Sequence, residues 1–269
     1  FGFLRMGTVG IVSQAYGRGD YREIVRTILR NFVIAMVIAL AIIILKPLIS
    51  NSIQHFFNTS AETQNLINTY LSVRVFSVPA ELVIYILVGF YLGIQKTKIS
   101  SFMIVTLSIL NIVFSSVLVL SYNLDVFGVA LGTLFASFIT VIIFSLFTYQ
   151  FIIKKFKLIP RFEKIVIKSK LLKLFNINFD IFIRTLFVTF SFLWITYLGS
   201  KQGEDYLAVN TILMQFIVLA AFFLDAYAFS TEGLIGFTIG RKIKNSFYSV
   251  VKNAIQISFI TALTVSVVY

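Results

Sequence analysis

The sequence has no cysteine, so disulfides and thiolate metal sites are excluded at once. Its single histidine, His55, cannot build an imidazole metal site alone and falls in an expected loop. Charge is scarce too: charged residues make up 13% of the 269, with 11 acidic against 23 basic. Only 3 prolines interrupt the chain, which leaves long stretches free of helix breakers. No phosphate-binding glycine loop, zinc motif or catalytic constellation occurs, so neither an enzyme nor a cofactor is expected. What fills the sequence instead is hydrocarbon. Hydrophobic residues reach 58% and the mean hydropathy is +0.94, beyond what a soluble domain can bury. The chain reads as an integral membrane protein. A net charge of +12 would suggest nucleic acid in a soluble protein; here the bias of basic residues toward cytoplasmic loops accounts for it.

Each crossing needs about 20 predominantly apolar residues. Runs of that kind cover 1–16 (partial), 31–50, 75–94, 99–121, 126–153, 177–199, 206–239 and 247–269, eight spans with short connections. Most of the 23 basic residues fall in alternate loops, after the first, third, fifth and seventh runs. Those loops are therefore cytoplasmic. The opposite loops carry Glu62, Asp125, Glu204 and Asp205 with Lys201. One connection, 154–176, is long and basic. Phe162, Ile165, Val166, Ser169 and Leu172 recur there at helical spacing, with Arg161, Lys164 and Lys168 on another face. That pattern predicts an amphipathic helix lying on anionic headgroups. It divides the chain into 1–153 and 177–269.

The two ends echo each other. Thr8-x-Gly10 followed by Gly17-Arg18 has the same spacing as Thr231-x-Gly233 followed by Gly240-Arg241. Both sets end an apolar run before a basic loop, six spans apart and in the same direction. This predicts an all-α polytopic bundle of two six-helix lobes, related by a pseudo-two-fold axis along the membrane normal. The chain opens on Phe1 and closes inside an apolar run, so a segment of a longer, roughly twelve-span molecule is expected.

Acids inside apolar runs are costly and point to cavities or ion paths. Asp225 and Glu232 lie seven residues apart on one face of the seventh span, about 10 Å along the axis. They are candidates for a coupling ion or a cationic substrate, against the alternative of structurally paired carboxylates. Glu81 follows Pro79 within an apolar span, where it lines a cavity or reaches the outer surface. Asn111 is a cavity or interhelical hydrogen-bonding candidate. Asp180 and Arg184 have the spacing of an intrahelical pair, structural or gating. Gly89-x-x-x-Gly93 reads as a close-packing face within the monomer. Gly17-Arg18-Gly19-Asp20 contains an RGD tripeptide on the cytoplasmic side, where adhesion has no place. Asn58-Thr59-Ser60 fits a glycosylation acceptor.

Several segments together resemble the multidrug and toxic compound extrusion (MATE) transporters, in their DinF-type branch. They are FGFLRMGTVGIVSQAYGRGD (1–20), VPAELVIYILVGFYLGIQKTK (78–98), Asn111 with FGVALGT (127–133), NFDIFIRTL (178–186) and FFLDAYAFSTEGLIG (222–236). The resemblance implies two six-helix lobes in a V that open alternately to either side, with the first helix and the last three absent here. It also implies export of amphipathic, often cationic drugs against inward proton or sodium movement. Two positions depart from the branch pattern: Ile84 stands where an Asn is expected, and Ser115 stands where an Asp follows Asn111.

The expectation from the sequence is a secondary active multidrug antiporter in the cytoplasmic membrane. It would act as a monomer among membrane lipids, with H⁺ or Na⁺ as coupling ion and amphipathic cationic compounds as cargo. The alternatives are a flippase for lipid-linked oligosaccharides, which would show a more cationic cavity, and a non-transporting membrane fragment.

Overall fold

The structure is a computed structural model that describes residues 2–57, 61–159 and 168–268. Among the described residues it is helical throughout: α1 (Gly2–Arg18), α2 (Tyr21–Phe57), α3 (Ala61–Arg74), α4 (Val78–Gly93) and α5 (Thr97–Leu120) come first. They are followed by α6 (Asp125–Phe151), α7 (Lys168–Lys201), α8 (Glu204–Arg241) and α9 (Lys244–Val268). Seven helical stretches among the described residues are long and apolar enough to cross a membrane, so the chain is multi-pass. The expected first span, at 17 residues, is too short to count as one of them.

Boundaries differ from the sequence reading in four places. The second run extends to Phe57, which puts His55 on the last turns of α2 rather than in a loop. The third expected span begins earlier, in α3, and passes through a tight turn at Val75–Ser77 into α4. Pro79 sits in the first turn of α4, where its missing N–H breaks no helical bond, directly after this interruption and in the middle of the continuous Ala61–Gly93 span. In the basic connection, α6 ends in a wider turn at Ile152–Phe156 and α7 already starts at Lys168. Ser169 and Leu172 thus belong to α7. Arg161, Phe162, Lys164, Ile165 and Val166 lie outside the described residues, as do Asn58, Thr59 and Ser60.

Helix α4 is the most enclosed element. Leu82, Ile86, Phe90 and Tyr91 are almost fully buried between α1, α2, α5, α6 and α8. The Tyr91 hydroxyl shares a 2.8 Å hydrogen bond with Thr148 of α6, so its one polar atom is satisfied inside the core. Gly89 and Gly93 face α1, as a packing role within the monomer requires. A Cβ on Gly89 would lie 2.7 Å from the Arg5 carbonyl oxygen, and one on Gly93 would lie 2.7 Å from Val12.

The end-to-end echo in sequence becomes a contact in space. Helices α1 and α8 pack along each other, and their matching ends interlock. A Cβ on Gly17 would overlap the Phe237 carbonyl oxygen, and one on Gly240 would overlap the Gln14 carbonyl oxygen. The turns that follow are also the same. Gly19 N–H donates to Tyr16 and Asp20 N–H to Ala15, at 3.0 and 2.9 Å. At the corresponding positions Lys242 N–H donates to Ile239 and Ile243 N–H to Thr238, at 3.1 and 3.2 Å. Gly19 (φ 75°) and Lys242 (φ 59°) each take the left-handed conformation that closes a helix C-terminus. Asp20 then caps α2 by accepting the Glu23 N–H at 3.0 Å, which gives the acid of the RGD tripeptide a structural role.

In a bilayer such close approach depends on small residues, because helices gain little from hiding apolar surface from lipid. Gly240→Ala is expected to cost about 1–3 kcal/mol through overpacking against a backbone atom. Gly10→Ala, at a position where an added Cβ meets nothing within 4 Å, should leave stability unchanged or slightly raised. Thermal unfolding of the two variants in detergent checks the contrast.

Candidate functional site

A cavity of about 880 Å³ runs along α4 and α5 and is bounded by α1, α6 and α8. Its wall is mainly apolar, with a few polar groups converging from different helices. Asn111 of α5 reaches it and donates a 2.8 Å hydrogen bond to Thr133 Oγ1 on α6. Thr133 in turn donates to the Val129 carbonyl one helical turn back at 3.1 Å. Asn111 thus lines the cavity and ties two helices together. Beside it the Ser115 hydroxyl is buried without a hydrogen-bond partner, pressed against Gly132 of α6. Ile84, at the other departing position, is buried on the cavity wall.

Glu81 also lines the cavity, and it is fully engaged. Arg74, at the end of α3, grips both carboxylate oxygens, with Nη2 at 3.1 Å from Oε2 and Nη1 on Oε1. The Ser77 hydroxyl lies 3.0 Å from Oε1 as well. The tight turn at Val75–Ser77 places Arg74 one face back from Glu81, which makes this bidentate pairing possible.

Asp225 and Glu232 share a face of α8 but differ in surroundings. Glu232 is half-buried, Asp225 is exposed, and neither belongs to the cavity wall. The expected Asp180–Arg184 pair does not form. Both side chains are exposed on α7, and the ion pairs among the described residues are Arg30–Glu23, Arg74–Glu81 and Lys170–Glu23. No cluster of potential metal ligands occurs among the described residues.

The most unusual charge lies outside the expected site residues. Arg5 lies on α1, only 8% exposed, and lines the cavity. Its guanidinium carbon sits 3.4 Å above the Phe229 ring of α8, a cation–π contact across the α1–α8 seam. A lone arginine inside an apolar run carries the same insertion cost as the acids that drew attention, and that signal was available. A second overlooked group is a buried polar chain. Asn178 of α7 donates to Asn31 of α2 at 3.4 Å, and Asn31 donates to Thr8 of α1 at 2.9 Å.

Comparison with known proteins places these features in context. The MatE family profile matches residues 1–117. The DNA damage-inducible protein F of Escherichia coli K12 is 32% identical over 267 residues, which covers 99% of this chain and 58% of that protein. The multidrug export protein MepA of Staphylococcus saprophyticus is 25% identical over 153 residues, covering 56% of this chain and 33% of that protein. Among solved structures, a MOP superfamily transporter from Pyrococcus furiosus superposes with a TM-score of 0.88 at 17% identity, covering 98% of this chain and 58% of that one. The chain therefore spans somewhat more than half the length of relatives that match it end to end.

The Arg74–Glu81 pair yields a stability test. Glu81→Ala leaves a half-buried guanidinium uncompensated and should cost about 1–3 kcal/mol. Arg74→Met combined with Glu81→Leu removes both charges and should recover most of that loss, measured by thermal unfolding in detergent.

Proposed function

The chain is a member of the MatE family, and from that premise we propose that it performs ion-driven export of small amphipathic compounds by alternating access. The observation that carries this reading is the pairing of a cavity with a closed seam. The 880 Å³ cavity is bounded by α1 and α8, the same two helices whose basic ends interlock through Gly17 and Gly240. Those ends face the cytoplasm by the positive-inside rule. Separation of α1 from α8 would then open a path from the cytoplasm to the cavity, as rocking of one bundle against another requires. The two identical turns at Gly19 and Lys242 support lobes related by rotation about the membrane normal. The family and the export protein among its relatives favour small organic cargo, a cytoplasmic-membrane location and a transporter rather than an enzyme.

The coupling ion is H⁺ or Na⁺, and Asp225 and Glu232, the two carboxylates in the second half of α8, take it. Glu232 faces Arg5 electrostatically, so ion binding there would alter the charge balance across the seam. A lipid-linked oligosaccharide flippase is the second reading, favoured by the cationic Arg5 in the cavity wall. The functions are separated by assay in cells lacking their own pumps. The full-length protein should lower dye accumulation, and Asp225→Asn with Glu232→Gln should slow efflux by about tenfold or more. Efflux at the original rate in the double variant would remove both residues from the coupling path.

A further inference from the structure

The charge of the cavity differs from the charge of the spans that surround it. Counting intramembrane acids favours cationic cargo, yet Asp225 and Glu232 stand outside the cavity wall. The charged groups that do line it are Arg5, Arg74 and Glu81. Arg74 and Glu81 cancel each other through their bidentate contact. Arg5 is left as the one charge of the described wall that forms no ion pair.

Arg5 is also short of partners. It is more than nine-tenths buried, and its Nη1 is enclosed with no hydrogen bond. Glu232 and Asp225 act on it from α8, but neither approaches within the distance of an ion pair among the described residues. A guanidinium carries five N–H donors in a planar fork, the geometry that carboxylate, sulfonate and phosphate oxygens match. A buried charge with unsatisfied donors is costly unless something meets it. The Phe229 ring covers one face of the fork. Around it the wall is apolar, with Tyr85, Ile84 and Phe222 close by in the lining.

We infer that the cavity binds small amphipathic molecules carrying one anionic group, a carboxylate, sulfonate or phosphate ester, with Arg5 holding the anion and Phe229 flanking the apolar body. This rests on the transporter reading and specifies its cargo. Arg5 is the specificity-determining residue, and Arg74 is excluded from that role by Glu81.

Fluorescein and the cationic rhodamine ester test it, since they share a xanthene body and differ in charge. Binding of both dyes to the full-length protein is measured by fluorescence anisotropy in nanodiscs of zwitterionic lipid. Fluorescein should bind at least tenfold more tightly than rhodamine. Arg5→Gln should weaken fluorescein by about tenfold or more, the range of a lost charged hydrogen bond. Arg5→Lys should retain part of the affinity, because it keeps the charge without the fork. Removing a buried charge relieves desolvation, so Arg5→Gln is expected to fold, and a melting curve verifies this. Preference for rhodamine, or fluorescein affinity unmoved in Arg5→Gln, overturns the inference while leaving export intact. Loss of fluorescein binding in nanodiscs of anionic lipid would identify a lipid headgroup as the ligand and overturn it too. Absence of binding and export of either dye by the unmodified protein defeats the transporter reading itself.

Discussion

Close contact of α1 with α4 and α8 is the constraint on which the other features depend. Helix α1 presses Arg5 and Val12 onto the glycines of α4, and Gln14 and Gly17 onto α8. Within the bilayer this closeness draws on packing and not on the exclusion of water. It fixes where Arg5 can be: at the Gly89 contact itself, over the Phe229 ring, and in the cavity wall. The same contact seals the end of the seam where Arg18 and Arg241 emerge. Cavity and closure are therefore two consequences of a single packing arrangement.

Electrostatics inside this frame follows from how each charge is met. Glu81 and Arg74 form a closed account of donors and acceptors. Glu23 is shared between Arg30 on its own helix and Lys170 of α7, each at 2.9 Å. That bridge joins the beginning of α2 to the beginning of α7, above the Asn178–Asn31–Thr8 chain. Polar ties of this sort hold α7 against α1 and α2 at positions where apolar packing alone would let it slide. Arg5 stands apart because its contact is a ring face and its Nη1 has no hydrogen bond.

Much of the fold was legible in the sequence because hydrocarbon thickness imposes a length on every span. The apolar runs and the alternation of basic loops located the crossings, and the paired Gly-Arg motifs identified helices that meet. The family resemblance was legible for the same reason: glycines and charges in apolar runs are few enough to be diagnostic. Termini were less legible. Helix α2 continues past its apolar stretch through His55, because amphiphilic turns extend a helix without changing hydropathy enough to be noticed. The site was read only in part. Asn111 and Glu81 reached the cavity, whereas Asp225 did not, since periodicity assigns a face to a residue without saying which neighbour that face meets. Asp180 and Arg184 have the spacing of a pair, yet spacing along a helix does not bring two side chains into contact, and the two form no ion pair. Arg5 was missed for want of weighing a cation as heavily as an acid.

The central claim is that the α1–α8 contact at the basic ends is the closure that must part for transport. The chain lacks cysteine, so a pair can be introduced cleanly at Tyr16 and Phe237, whose rings lie 5.7 Å apart. Oxidation of Tyr16→Cys/Phe237→Cys in native membranes should give an intramolecular disulfide that stops export, with recovery on reduction. Failure to cross-link, or unimpaired export by the cross-linked protein, would contradict the claim.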